Sequence, residues 1–214
     1  MGVDTIQLPA GYTAAHDARF KVVCDRLIGV EGKLANDPAD HGGLTNYGLS
    51  LRFLIDQGHL DAGHPRFADL DLDKNGVIDA RDLIAMTPAK SEQVYRDCIW
   101  IPYALWSLPE PIDGAMLDQV VNDGLVAAGK LLQRAINSVY AGAVGMRPLD
   151  VDGDIGTSTR SHLDTAVDRL GVDAVVGALR NVAEDRYRLI AARDPSQKRF
   201  LNGWIARAEG LGNV

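Results

Sequence analysis

The sequence has 214 residues, of which 46% are hydrophobic and 24% are charged, and its formal net charge is −7. Such values are ordinary for a soluble globular protein with one large domain or two lobes. An acidic chain offers no general attraction to nucleic acid or anionic lipid, and no apolar run reaches the length of a membrane span. Residues 1–20 lack the basic start and apolar block of a secretory signal peptide.

Hydrophobic periodicity predicts helices over most of the chain, because apolar residues recur every three or four positions. The stretches that show it are about Ala14 to Val30, about Ser50 to Gln57, from a cap at Ser91 until Pro109, 111–140, 161–171, 172–194 and 199–210. Asn122-Asp123-Gly124 marks a break if 111–140 holds two helices. Residues 33–48 are rich in Gly, Asn, Asp and Pro, which indicates a tight loop or a short hairpin. The predicted fold class is therefore all-α, or mainly α with a very small β element.

The two cysteines, Cys24 and Cys98, each lie in a helical pattern. Two cysteines are too few for a disulfide scaffold. We therefore expect both to be buried thiols.

Two carboxylates and a hydroxyl lie close together in "EGKLANDPADHGGLTNYG", residues 31–48. Glu31 falls at a predicted helix C-terminus, where unpaired carbonyl groups disfavour a carboxylate and are expected to raise its pKa. A general acid that works near neutral pH requires such a raised pKa. Asp40 follows on a glycine-flanked loop that can fold back toward Glu31. With Thr45 as a hydroxyl that holds water, the set suits glycoside hydrolysis. A solvated helix end and an Asx turn are the structural alternative.

The same stretch resembles the Glu-Asp-Thr active site of phage-type lysozymes, and more closely glycoside hydrolase family 108. That family typically reads "EGGYVNDPxDxGGxTxYGIS", where this chain reads "EGKLANDPADHGGLTNYGLS". Later stretches agree, namely "VYRDCIWIPY", "LDQVVNDG", "LLQRAIN" and "FLNGWIARA". Lys33-Leu34 replaces the usual Gly-Tyr, which affects a sugar contact rather than the acid.

The resemblance implies a mainly α, lysozyme-like two-lobed fold and a peptidoglycan muramidase. Such an enzyme cuts the β-1,4 bond between N-acetylmuramic acid and N-acetylglucosamine. Glu31 would protonate the glycosidic oxygen, while Asp40 and Thr45 would hold water, or Asp40 would stabilise the oxocarbenium-like charge. Carboxylates roughly 6.5–9.5 Å apart would indicate inversion, and about 5 Å would indicate retention.

Four further residues are candidate substrate contacts. Asn46 and Tyr47 follow Thr45 directly and could line the sugar cleft, although loop packing would explain them equally well. Asp118 and Asn122 are one helical turn apart and could reach the cleft from the second lobe. Helix capping around Gly124 is the alternative for this pair.

Residues 71–82, "DLDKNGVIDARD", match the twelve-residue EF-hand calcium loop. Gly76 supplies the sharp turn and Ile78 the apolar eighth position. The predicted Ca²⁺ ligands are Asp71, Asp73, Asn75, the carbonyl group of Val77, Asp79 through water, and Asp82. Position twelve usually carries a bidentate glutamate, so Asp82 predicts a lower affinity. A metal-free acidic turn is the alternative.

The loop lies where the family resemblance is interrupted, at about 56–88, so it looks like an inserted EF-hand-like helix-loop-helix. Short flanking helices are predicted to pack through four apolar residues, Phe67, Leu70, Leu83 and Ile84. A single hand inside an enzyme is expected to be a structural staple rather than a sensor.

A third motif, "LDVDGDIGTSTRSHL", resembles the "DGxxGxxT" signature of small helical peptidoglycan-binding modules. The matching residues are Asp152, Gly153, Gly156 and Thr159, and their expected role is to shape a turn before a helix. The predicted organisation is a lysozyme-like catalytic lobe at 14–107 and a helical, peptidoglycan-binding-like lobe at 108–214.

The function predicted from these motifs is peptidoglycan hydrolysis, with a phage endolysin as the expected setting and a bacterial lysis or remodelling protein as the alternative. The alternatives are a lytic transglycosylase, which needs only one acid, and a catalytically idle, calcium-stabilised cell-wall binding protein. The intact triad favours an enzyme. The expected partner is bacterial peptidoglycan, with no nucleic acid and no stable membrane association, and the protein is expected to be a monomer. It would be made in the host cytoplasm and would reach the wall after holin-type release.

Overall fold

The computed structural model describes residues 8–30, 34–36, 44–58, 65–140 and 147–213. The chain divides into two compact units, Met1–Pro102 and Tyr103–Val214. The helices described in the first unit are α1 (Ala14–Val30), α2 (Leu51–Gly58), α3 (Pro65–Leu70), α4 (Ala80–Ala85) and α5 (Pro88–Tyr95). Its strands are β1 (Ala35–Asn36), β2 (Leu44–Asn46) and β3 (Leu49–Ser50). The prediction of a mainly α fold with a very small β element is confirmed.

The three strands form one antiparallel sheet in the order β1-β2-β3. Thr45 in the central strand lies opposite Ala35 on one side and Ser50 on the other. With two or three residues in each strand, the ladder supplies few hydrogen bonds. The position of this sheet therefore depends on what packs against it.

Aromatic side chains fill the core of the first unit. Phe20 of α1 meets Trp100 with ring centroids 5.5 Å apart, and Tyr95 and Trp100 have no exposed surface. Trp100 ends a five-residue π-helix, Arg96–Trp100, that continues α5.

The start of α5 differs from the prediction of a cap at Ser91. Thr87 is the N-cap, its hydroxyl oxygen accepting from the Lys90 amide, and Pro88 takes the first helical position. Proline is favoured there because its fixed φ suits a helix and its missing N–H has no partner to lose. Ser91 lies inside the helix and donates its hydroxyl to the Thr87 carbonyl at 3.0 Å.

The two cysteines are buried, as predicted. Cys24 is 0% exposed and Cys98 is 3% exposed. Burial, reinforced by the carboxylates of Glu92 and Asp25, raises the pKa of the Cys24 thiol to about 12. This thiol is therefore unreactive in the folded protein, because the thiolate is the nucleophilic form.

The second unit is a helical assembly. Its described helices are α6 (Ile112–Asp123), α7 (Leu125–Val139), α8 (Thr157–Leu170), α9 (Val172–Arg193) and α10 (Leu201–Glu209). Gly124 separates α6 from α7 with φ of +80°, so the predicted break is confirmed. Three leucines, Leu131 and Leu132 of α7 and Leu179 of α9, are fully buried. None of the helices described in either unit is long and apolar enough to cross a membrane.

A close backbone contact joins α7 to the turn before α8. A Cβ atom at Gly129 would lie 2.0 Å from the Gly153 carbonyl oxygen. Gly153 itself has φ of +94°, and a Cβ there would lie 2.5 Å from the Val126 carbonyl oxygen. Both positions therefore require glycine, one for space and the other for space and conformation.

Gly129→Ala is expected to lower the free energy of unfolding by about 1–3 kcal/mol, because the methyl group meets backbone that cannot move aside cheaply. Gly177→Ala is the matched control. Gly177 also lies inside a helix, but a Cβ there would meet nothing within 4 Å. That change should stabilise by about 0.5–1 kcal/mol through helix propensity. Denaturant unfolding of both variants measures the difference, and equal effects would contradict the steric argument.

Candidate active site and cation-binding loop

The predicted triad is only partly within the described residues. Helix α1 ends at Val30, directly before Glu31 in the sequence. Glu31 and Asp40 lie outside the described residues. Thr45 is described, and it is half-buried in the middle of β2.

A tight turn joins β2 to β3. Tyr47 and Gly48 have φ of 49° and 78°, and two consecutive positive values are typical of the two-residue turns of hairpins. A positive φ is uncommon for tyrosine. The buried Tyr95 hydroxyl donates to the Tyr47 carbonyl at 2.5 Å, which fixes this turn on the end of α5. The Tyr47 side chain is half-buried, and its contact with sugar stays a prediction.

Asn46 points away from solvent. Its side chain is 5% exposed, and its amide nitrogen donates to the Leu83 carbonyl of α4 at 2.9 Å. Successive side chains of a strand point to opposite faces, so Thr45 lies on the other face of β2. The geometry of Asn46 favours an internal role over the sugar contact predicted from sequence.

The 71–82 loop brings three carboxylates together. One oxygen each of Asp71, Asp73 and Asp82 lies within 4.8 Å of the others. The Asp71 carboxylate also accepts the amides of Asn75 at 3.1 Å and Gly76 at 2.8 Å, and Gly76 has φ of +86°. These two hydrogen bonds fold the loop around the Asp71 carboxylate.

Asp82 has two structural tasks. It is 0% exposed, and one of its oxygens accepts the amides of Leu72 at 2.6 Å and Asp73 at 3.3 Å. The other oxygen accepts the Asp79 amide at 2.8 Å, which completes a capping box at the start of α4. One carboxylate thus closes the loop and begins the helix.

Asp79 forms hydrogen bonds and an ion pair with Arg81. Its carboxylate accepts the Arg81 amide at 2.7 Å and pairs with the guanidinium at 2.8 Å. The hydrogen bond from the Arg81 side chain is the main reason that the pKa of Asp79 is lowered. This agrees with a place at position nine, which often reaches the cation through water.

The donor set fits a hard cation. Carboxylate and amide oxygens are the ligands that Ca²⁺ takes, and three clustered carboxylates repel one another without a positive partner. Arg81 supplies part of that charge, with its Nε atom 3.4 Å from Asp73. The flanking helices are present as predicted, and Leu70 and Leu83 are buried. Ile84 is 55% exposed, so the prediction that it packs is wrong. The side chain of Phe67 lies outside the described residues.

In the second unit, Asp118 joins Asn122 and Arg207. The Asp118 carboxylate accepts from the Asn122 side chain at 3.1 Å and from Nε of Arg207 at 3.0 Å. Asn122 also donates to the Asp118 carbonyl at 2.9 Å. Arg207 lies on α10, 89 residues away in sequence, so periodicity could not reveal it. Substrate contact by Asp118 and Asn122 stays a prediction.

The 152–159 turn is held by one buried glutamine, Gln133 of α7. Its amide nitrogen donates to the Asp152 carboxylate at 2.6 Å and to the Thr159 hydroxyl at 3.2 Å. Its oxygen accepts the Gly153 amide at 2.8 Å. The bond from Gln133 is the main cause of a lowered pKa at Asp152. The motif shapes a turn before α8, as the sequence predicts.

Comparison with known proteins agrees with this geometry. The solved structure of Brucella abortus SagA is similar over 92% of this chain and 93% of that chain, with a TM-score of 0.66 and 22% identity, which shows a shared fold. None of the curated proteins matches the sequence. The profile "Glycosyl hydrolase 108" matches residues 24–124, and the profile "Predicted Peptidoglycan domain" matches residues 127–209.

The fold and these two matches define the class of protein, a glycoside hydrolase that acts on peptidoglycan. The family that residues 24–124 match is glycosyl hydrolase 108. The family match spans the predicted triad and all of α6, so Asp118 and Asn122 fall within it. The second match contains the 152–159 turn.

Proposed function

We propose that the protein is an N-acetylmuramidase of lysozyme type. It cleaves the β-1,4 bond between N-acetylmuramic acid and N-acetylglucosamine in peptidoglycan. Glu31 acts as the general acid and protonates the glycosidic oxygen as the bond breaks. Asp40 and Thr45 hold the attacking water, or Asp40 stabilises the developing positive charge of the sugar ring.

The observation that carries this proposal is the family match, which contains Glu31, Asp40 and Thr45 in one segment. The geometry of the hairpin supports it. Thr45 lies in the central strand, and hydrogen bonds from two sides anchor that hairpin, one at Asn46 and one at the Tyr47 carbonyl. A hydroxyl that orients water must be held in place in this way.

We propose that the 71–82 loop binds one Ca²⁺ ion and that this ion is structural. Its protein ligands are Asp71, Asp73, Asn75, the carbonyl group of Val77, Asp79 through water, and Asp82. The clustering of three carboxylates around a glycine turn supports the assignment. The ion would neutralise the repulsion among these carboxylates and hold α3 and α4 together.

Asp118 and Asn122 are proposed to contact the glycan, and the second unit to hold the protein on peptidoglycan. The match of residues 127–209 to a peptidoglycan domain supports the latter role. We propose a monomer that serves as a phage endolysin, made in the host cytoplasm and released to the wall through a holin. Expression in bacteria with and without a holin tests that setting, since lysis should require the holin.

Mass spectrometry of digested peptidoglycan tests the reaction. The proposed hydrolysis leaves N-acetylmuramic acid with a free reducing end. Products that end in an anhydro sugar, one water lighter, would establish a lytic transglycosylase instead. Products that end in reducing N-acetylglucosamine would show that the other glycosidic bond is cut. Binding to the wall without any soluble product would identify a non-catalytic binding protein.

A further inference from the structure

A buried hydrogen bond links the helix that follows the cation-binding loop to the strand that carries Thr45. Asn46 donates to the Leu83 carbonyl, and both residues are almost fully buried. Leu83 follows Asp82 directly, and Asp82 is the carboxylate that closes the loop and begins α4. The path from the loop to Thr45 therefore runs through Asp82, Leu83 and Asn46.

We propose that Asn46 is a positioning residue, which holds β2 on α4 and thereby places the Thr45 hydroxyl. The proposal rests on the role proposed for Thr45. Strands of two or three residues cannot define their own position, so an anchor from a neighbouring helix must do so. An error of about 1 Å in the placement of a reacting group can cost on the order of 100-fold in rate.

The second anchor of the hairpin acts at a different place. Tyr95 holds the turn through the Tyr47 carbonyl, one residue after β2 ends. Asn46 is adjacent to Thr45 and restrains the strand itself. Loss of the Asn46 bond would leave the turn attached while β2 shifts, so catalysis should suffer more than folding.

Two substitutions separate the hydrogen bond from the shape of the side chain. Asn46→Ala removes both, whereas Asn46→Asp keeps the shape but presents a carboxylate, which cannot donate to the Leu83 carbonyl. Asn137→Ala is the matched control. Asn137 makes the same kind of bond, donating to the Leu149 carbonyl at 2.9 Å and accepting the Leu149 amide at 2.7 Å, but it lies in the second unit.

Kinetics on solubilised glycan strands, measured well below the melting temperature, decide the proposal. For Asn46→Ala and Asn46→Asp at neutral pH we expect kcat to fall at least about tenfold, with KM within about twofold of the unmodified protein. Asn137→Ala should lower the melting temperature while kcat stays within about twofold. A raised KM with unchanged kcat would make Asn46 a substrate contact and overturn the proposal. Unchanged kcat in Asn46→Asp would overturn it as well.

Calcium chelation tests the path from the loop. Removing Ca²⁺ should lower kcat of the unmodified protein but should not lower it further in Asn46→Ala. An equal proportional loss in both would show that the loop does not act through Asn46. Failure of the proposed function would look different. An unmodified protein that releases no reducing ends refutes the muramidase, and a melting temperature indifferent to Ca²⁺ refutes the cation site, whatever the Asn46 variants do.

Discussion

Glu31→Gln is expected to abolish peptidoglycan hydrolysis while the protein stays folded. Glutamine has nearly the same shape as glutamate, but its amide cannot deliver a proton to the leaving oxygen. General acid catalysis contributes about 10²- to 10⁴-fold, so the residual rate should be no more than about 1%. Release of reducing ends from purified peptidoglycan measures the rate, and circular dichroism checks the fold.

A matched control makes the same change of charge outside the candidate active site. Glu92→Gln removes a carboxylate on α5 in the same unit, where its ion pair with Lys21 at 3.6 Å is partly exposed. Activity should stay within about twofold, because exposed ion pairs contribute little. Asp40→Asn should lose less activity than Glu31→Gln. Lysis by folded Glu31→Gln at more than a few per cent of the unmodified rate would refute the assignment of the acid.

Removal of calcium is expected to lower the stability of the first unit. A ligand that binds only the folded state stabilises it by about 2.7 kcal/mol at a hundredfold excess over Kd, and by about 4.1 kcal/mol at a thousandfold excess. For a protein of this size, the smaller value corresponds to a melting temperature shift of about 5–11 °C. Thermal unfolding with added calcium and with chelator measures the shift.

The double variant Asp71→Ala with Asp73→Ala should not respond to calcium. Its control is Asp164→Ala with Asp168→Ala, which removes the same two charges from exposed positions on α8. That protein should keep the full calcium response. If calcium leaves the melting temperature of the unmodified protein unchanged, the proposed cation site is refuted.

The sequence predicts the local structure well, because local structure follows from local signals. The periodicity of α1, the break at Gly124 and the turn at Gly76 all depend on neighbouring residues, and the structure agrees with each. The predicted cap at Ser91 is wrong because Thr87, four residues earlier and followed by Pro88, carries the stronger signal for a helix start. Both Thr87 and Ser91 carry a local signal for a helix start, and the helix begins at the one that a proline follows.

Contacts between distant residues could not be predicted from a single sequence. Asn46 and Leu83 are 37 positions apart, and Asp118 and Arg207 are 89 apart. No periodic pattern relates such pairs, since each depends on how whole elements pack. From sequence, Asn46 is therefore equally a candidate sugar contact and a loop-packing residue, and its burial against α4 is visible only in the structure.

The two buried cysteines allow the opening of the first unit to be measured by thiol labelling. The chain has two cysteines, both in Met1–Pro102 and both shielded from reagent in the fold. An alkylating reagent therefore reacts only when this unit opens, and the rate of labelling follows the population of the open state when reclosing is fast. Because the 71–82 loop belongs to the same unit, calcium binding would slow the labelling. Opening of Tyr103–Val214 alone adds no thiol, so this chemistry separates the stability of one unit from that of the other without any substitution.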